Sequence, residues 1–235
     1  MPIALEKRPP LTQPQGVEAG YAQTALRWPS RAFQKRPLTT SELAGPARVL
    51  ERLGARAAAS ADLAGHAEKR ALGQLIHVRA AIVDEDGGPV GGAAVEVWHC
   101  NAAGRYLHPN DTTTSPADPN FNGAARLAAD AHGRIELRTI KPAAYPVPDS
   151  GRWWRPPHIH FSVWGRAWLS RLVTQMFFPG EPLNERDAIL SAVRDPAARS
   201  ACIATLLPPS SGPEDALVYE YRIVVRGRGA AAAMP

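Results

Sequence analysis

Cysteine is nearly missing from this chain: Cys100 and Cys202 are the only two in 235 residues. That excludes a small scaffold built on disulfides and a zinc site assembled from clustered thiolates. Long apolar runs are missing as well. No stretch approaches the roughly 18 residues that a membrane-spanning helix needs. The opening MPIALEKRPP lacks the apolar segment of a secretory signal, so a reducing cytoplasm is the expected setting. Blocks of like charge are absent too, although Lys and Arg outnumber Asp and Glu by 27 to 22. The basic residues are scattered among Ala and Pro. The excess therefore argues against a nucleic-acid footprint and reads as solubility with some attraction for anionic substrates.

What is present points to a β protein. Hydrophobic residues make up 45% of the chain, enough for a packed core. The 19 glycines and 23 prolines come to about 18% of the residues, against roughly 12% in average usage, which implies many turns and ordered loops. Apolar and polar residues alternate with period two over residues 75–84, 93–100, 134–140, 158–164, 171–178 and 217–226, each predicted as a strand. Residues 101–131 and 141–157 read as long loops, and 186–193 and 196–206 as short helices. The expected fold is mainly β: an antiparallel β-sandwich with long loops, short helices and an extended N-terminal arm. Residues 1–72 are assigned to that arm and an irregular or helical segment, 73–228 to the sandwich, and 229–235 to a disordered tail.

The first chemical signal is His158-Ile159-His160. Residues i and i+2 of a strand point to the same face, so the two imidazoles stand side by side and could supply two neighbouring ligands to one metal. The pattern fits equally well two histidines on a half-exposed strand. The preceding Trp153-Trp154-Arg155-Pro156-Pro157 is bulky and stiff, suited to holding ligands still. Five tyrosines are available, and Tyr219 and Tyr221 alternate on the last strand as core residues would. Tyr106 and Tyr145 sit in the two long loops. A phenolate is a hard anionic oxygen ligand that suits ferric iron and is deprotonated on coordination. Spacing alone leaves that ligand set open.

Residues 95–108 (VEVWHCNAAGRYLH), 118–123 (DPNFNG), 138–146 (RTIKPAAYP) and 153–161 (WWRPPHIHF) resemble the intradiol ring-cleavage dioxygenases. The likeness continues through 174–183 (TQMFFPGEPL) and 221–227 (YRIVVRG), and reaches back to Gly20-Tyr21. It implies a β-sandwich carrying non-haem ferric iron, Fe(3+), with Tyr106, Tyr145, His158 and His160 as ligands. Arg155 matches the family's arginine beside the metal, and Gln175 a glutamine near the bound ring. Tyr21, Trp98 and Ile189 fall at substrate-pocket positions. The implied reaction uses O2 to open a catechol between its hydroxyl-bearing carbons, with Tyr145 leaving the metal to act as a base.

Within the family the chain looks like the catalytic β chains that pair with a homologous α chain and act on protocatechuate. It departs from them at Val147, where a tryptophan is expected in the pocket wall, and at His99, where glutamine is more usual. Residues 47–72 match poorly. Two other readings stay open: intradiol cleavage of another substituted catechol, and a non-catalytic sandwich subunit that binds a partner. Arg155 could also serve only to brace its loop through a salt bridge. No nucleic acid or membrane partner is expected.

Overall fold

The computed structural model describes residues 58–65, 69–147, 153–164, 171–213 and 215–225. Tyr21, most of the N-terminal arm and the tail at 229–235 lie outside the described residues.

Two larger sheets dominate the described residues. One has five strands in the order β1 (Ser60–Asp62), β5 (Arg134–Ile140), β2 (Leu75–Val83), β11 (Leu217–Val224), β10 (Thr205–Leu206). The other has four, in the order β4 (Ala124–Ala128), β3 (Ala94–Trp98), β8 (His158–Trp164), β9 (Arg171–Phe177). A short hairpin, β6 (Tyr145–Pro146) with β7 (Trp154–Arg155), completes the set. Most neighbours are antiparallel, but β1 runs parallel to β5 and β11 parallel to β2.

Alternation explains how the sheets pack. On β2, Ile76, Val78, Ala80 and Ile82 are buried while Arg79 is exposed. On β8, Ile159, Phe161 and Val163 point into the same core, which β3, β5 and β11 also enter. The Phe161 ring packs 5.6 Å from Tyr221 of the opposite sheet, and Phe161 is fully buried, worth about 2–3 kcal/mol of hydrophobic stabilisation. His158 and His160 therefore fall on the outer face of the four-stranded sheet. There the register sets Trp98, His160 and Gln175 side by side across three strands.

Some elements differ from the sequence expectation. Within 101–131, residues Ala124–Ala128 form β4. Its sequence, AARLA, has little β propensity, and pairing with β3 and burial of Leu127 make it a strand. The five-stranded sheet takes in β1 ahead of residue 73, through parallel pairing with Arg138 and its neighbours. The helix expected over 186–193 is two pieces, a 3-10 turn at Pro182–Arg186 and α1 (Ala188–Ser191), separated by Asp187. The segment 196–206 gives α2 (Pro196–Ala201) and then β10, where main-chain pairing with β11 extends the chain. Among the described residues no helix is long and apolar enough to cross a membrane.

Candidate metal centre

Four side chains from three parts of the chain converge on the outer face of the four-stranded sheet. His158 and His160 come from the first half of β8. His158 Nδ1 lies 2.7 Å from the carbonyl oxygen of Pro156, which accepts the ring proton and leaves Nε2 with a bare lone pair. Phe177 stacks against His158 at 5.8 Å, and Trp98 lies parallel to His160 at 4.8 Å. Both imidazoles are thus fixed by packing as well as by the strand.

Tyr106 is delivered by the loop after β3. Asn101 Oδ1 accepts from the amides of Ala103 and Arg105 and winds the loop into a compact turn. The Tyr106 amide then donates to Asp111 Oδ2 at 2.7 Å. Tyr145 sits on β6, opposite Arg155 of β7. Gly104 lets the two loops touch. At φ +82° it adopts a conformation that side chains disfavour, and a Cβ there would lie 3.0 Å from Tyr145 Cβ and 3.1 Å from Ala144 O.

The four polar tips form a tight cluster. Tyr106 Oη is 3.1 Å from His160 Nε2, 3.3 Å from Tyr145 Oη and 3.5 Å from His158 Nε2. His158 Nε2 is 3.4 Å from Tyr145 Oη and 3.2 Å from His160 Nε2. As hydrogen bonds most of these contacts are long, and His158, with its proton on Nδ1, has none at Nε2 to donate. As the edges of a ligand shell they fit. Donors this close together, in five of their six pairs, could all reach one metal ion placed between them.

The donor chemistry points to a hard, highly charged ion. Burial drives the Tyr106 phenol well above its usual pKa, with the neighbouring Tyr145 adding to the rise. Burial, then the Arg155 charge, drives His158 well below the imidazole range and His160 down to about 3. The imidazoles are therefore neutral and ready to ligate. The phenols need a cation to ionise them, and two phenolates would balance most of a trivalent charge. Among the described residues no three His, Cys, Asp or Glu side chains come together. The cysteines stand apart, with Cys100 buried and its thiol donating to Ala143 O.

Beside the cluster, Arg155 is 3% exposed, and its Nε donates to Asp187 Oδ2 at 2.6 Å. Its Nη2 donates to Gln175 Oε1 at 2.5 Å. The bracing salt bridge is thus present, but it engages Nε and leaves Nη2 to donate to Gln175. Ile189 follows on α1, half-buried. Val147 is buried, and its amide donates to Trp153 O across the hairpin. A cavity of about 790 Å3 opens along Trp98, Tyr106, Leu107 and His108.

Asp187 was missed by reading the sequence. Its signal is a helix cap: an aspartate immediately before Ala-Ile-Leu-Ser, masked by starting the helix at Arg186.

A family model described as Dioxygenase matches residues 48–227. The chain is 41% identical over 231 residues to the protocatechuate 3,4-dioxygenase beta chain of Burkholderia cepacia, covering 97% of each. To catechol 1,2-dioxygenase 2 of Acinetobacter lwoffii it is 32% identical over 147 residues, 55% of this chain and 51% of that one. It thus spans about half the length of that relative. The fold is similar to the crystal structure of 3-chlorocatechol 1,2-dioxygenase from Rhodococcus opacus, with a TM-score of 0.56 at 22% identity, covering 70% of this chain and 64% of that one.

Proposed function

The chain belongs to the intradiol ring-cleavage dioxygenases, and from that premise we propose that it opens protocatechuate between its two hydroxyl-bearing carbons. O2 supplies both oxygen atoms that enter the product, 3-carboxy-cis,cis-muconate. The observation that carries this reading is the convergence of two phenol oxygens and two imidazole nitrogens, five of whose six pairs lie 3.1–3.5 Å apart. Tyr106, Tyr145, His158 and His160 would hold ferric iron, which supplies the Lewis acidity to bind and acidify a catechol and to activate its ring toward O2.

The chain's own groups do the rest. Tyr145 gives way to the incoming catechol and takes one of its protons at Oη. The hairpin that carries it also carries Arg155, whose guanidinium stabilises negative charge gathering on the ring in a site sheltered from water. Gln175 has its carbonyl oxygen turned to Arg155, so its amide N–H groups are left to donate toward the substrate. Trp98, held parallel to His160, forms a flat wall for the ring. Tyr21 and Ile189 complete the pocket in this reading.

A second substrate is favoured by one position. Val147 is smaller than the tryptophan expected there, which suits a catechol bulkier than protocatechuate. The partner is a homologous α chain, a proposal supported by the relative named as a beta chain. The two unpaired cysteines fit assembly in the cytoplasm.

The test is to co-express the chain with its α partner and record the visible spectrum and the ring-opened product. Phenolate-to-iron charge transfer should colour the protein red-brown, and protocatechuate should be consumed with one O2. A protein that stays colourless and inactive after loading with iron would refute the proposal.

A further inference from the structure

Asp187 is fully buried, and both of its carboxylate oxygens are used. Oδ1 accepts from the amides of Ile189 and Leu190, each at 2.8 Å, and so starts α1. Oδ2 accepts from Arg155 Nε at 2.6 Å. Arg155 passes the connection on to Gln175 through Nη2. One carboxylate therefore ties together the short helix α1, the guanidinium beside the four-donor cluster and a glutamine on β9.

The cap alone does not call for a charge, because asparagine or serine caps a helix about as well as aspartate. Stability does not call for it either. A buried ion pair seldom repays the cost of removing both charges from water, and an apolar pair of similar volume is often as stable. What the carboxylate does that a neutral cap cannot is hold the Nε edge of Arg155. That fixes the plane of the guanidinium and with it the direction in which Nη2 donates to Gln175.

We infer that Asp187 is a positioning residue for ring cleavage, setting the orientation of Arg155. The inference rests on the intradiol reading above. Asp187 does not touch the substrate. It acts through the guanidinium, so its effect should vanish when the guanidinium is gone.

The test is a double-mutant cycle on the iron-loaded αβ protein. Asp187→Asn keeps Oδ1 for the Ile189 and Leu190 amides and places an amide N–H where Arg155 Nε needs an acceptor. Its kcat/KM for protocatechuate should fall about 10–100-fold, the usual effect of losing a group that orients an active-site residue. Arg155→Ala should fall at least as far, and the double variant no further than Arg155→Ala alone. Arg155→Lys, which keeps a charge but has no Nε–H to hold, should lose activity as Asp187→Asn does. Independently of turnover, and in the iron-free αβ protein where no paramagnetic ion broadens it, the Arg155 Nε–H resonance should exchange slowly with Asp187 in place and be lost in Asp187→Asn. If the losses multiply in the double variant, if Arg155→Lys turns over normally, or if the protected resonance survives in Asp187→Asn, the inference is wrong. Failure of the dioxygenase reading would look different: the native protein would open no ring, while the resonance would still decide whether Asp187 holds Arg155.

Discussion

Tyr145 and Arg155 face one another across the short antiparallel ladder of the β6–β7 hairpin. Their spacing is set by main-chain pairing, and it places the Tyr145 hydroxyl, which could accept a proton only as the phenolate, next to a buried guanidinium. The two arms are paired, with Pro146 opposite Trp154 and the Val147 amide bonded to Trp153 O. Movement of Tyr145 off the cluster is therefore expected to be a rotation of the side chain, with the paired arms staying together.

Tyr145→Phe tests that role. Three of the four converging donors remain, so the variant should retain much of its iron. Without Oη there is no base to take the catechol proton, and turnover should fall by about 10²–10⁴-fold. Steady-state rates set against iron content per chain decide the matter. Near-normal turnover would remove Tyr145 from the proton path.

Gly104→Ala tests how the two tyrosine loops meet. The added methyl group would press on Tyr145 Cβ and Ala144 O at a positive φ, so backbone strain and a steric clash act together. A cost of about 1–3 kcal/mol is expected. The loops should part, weakening the visible charge-transfer band and the retention of iron against a chelator. A variant with native colour and native iron affinity would show that the close approach is dispensable.

Much of the fold could be read from alternation. β5 and β8, with strict period-two patterns, run over the residues expected, 134–140 and 158–164. β4 could not be read, because an alanine-rich pentapeptide carries no periodic signal and owes its conformation to β3. The candidate site divides in the same way. The pairing of His158 with His160 on one face follows from strand geometry. The approach of Tyr106 and Tyr145 is tertiary, arranged by Asn101, Gly104 and the hairpin, and only the likeness to a known family suggested it. Asp187 is tertiary again, since its partner Arg155 lies on a different element.

His99 should make the protein sensitive to acid. The ring is fully buried: Nδ1–H donates to Cys100 O at 2.8 Å, and Nε2 accepts from Thr139 Oγ1 at 2.8 Å. Burial lowers its pKa from 6.5 to about 4, opposed in part by the Cys100 hydrogen bond. The unfolded chain therefore takes up this proton below about pH 6.5 and the folded chain only near 4. Stability from the neutral ring is fully present above pH 6.5 and is lost as pH falls toward 4, by about 3 kcal/mol in all. His99→Gln, whose amide can donate to Cys100 O and accept from Thr139, should flatten that limb. Urea unfolding at pH 7.5, 5.5 and 4.5 measures it. Parallel acid limbs in the two proteins would show that His99 does not contribute.

Val147→Trp tests substrate choice. Position 147 lies two residues beyond Tyr145 on a hairpin arm whose pairing continues through Val147 N and Trp153 O, so it falls on the side of the phenol. Val147 is 7% exposed, so the indole must displace packed neighbours or enter the pocket. Overpacking should cost about 1–3 kcal/mol of stability, and a melting curve establishes that the variant is folded before rates are compared. With the larger wall in place, kcat/KM for a catechol with a bulky ring substituent should drop about tenfold or more relative to protocatechuate. A difference of one methylene in an apolar pocket is already worth about 1–3 kcal/mol. Unsubstituted catechol should change little, because it has no group to meet the wall. The net excess of Lys and Arg over Asp and Glu, 27 to 22, favours an anionic ring in both proteins, so protocatechuate should remain the best simple substrate. If the native protein and Val147→Trp give the same ranking and the same ratios for the three substrates, residue 147 does not shape the pocket, and the case for a bulkier substrate loses its support.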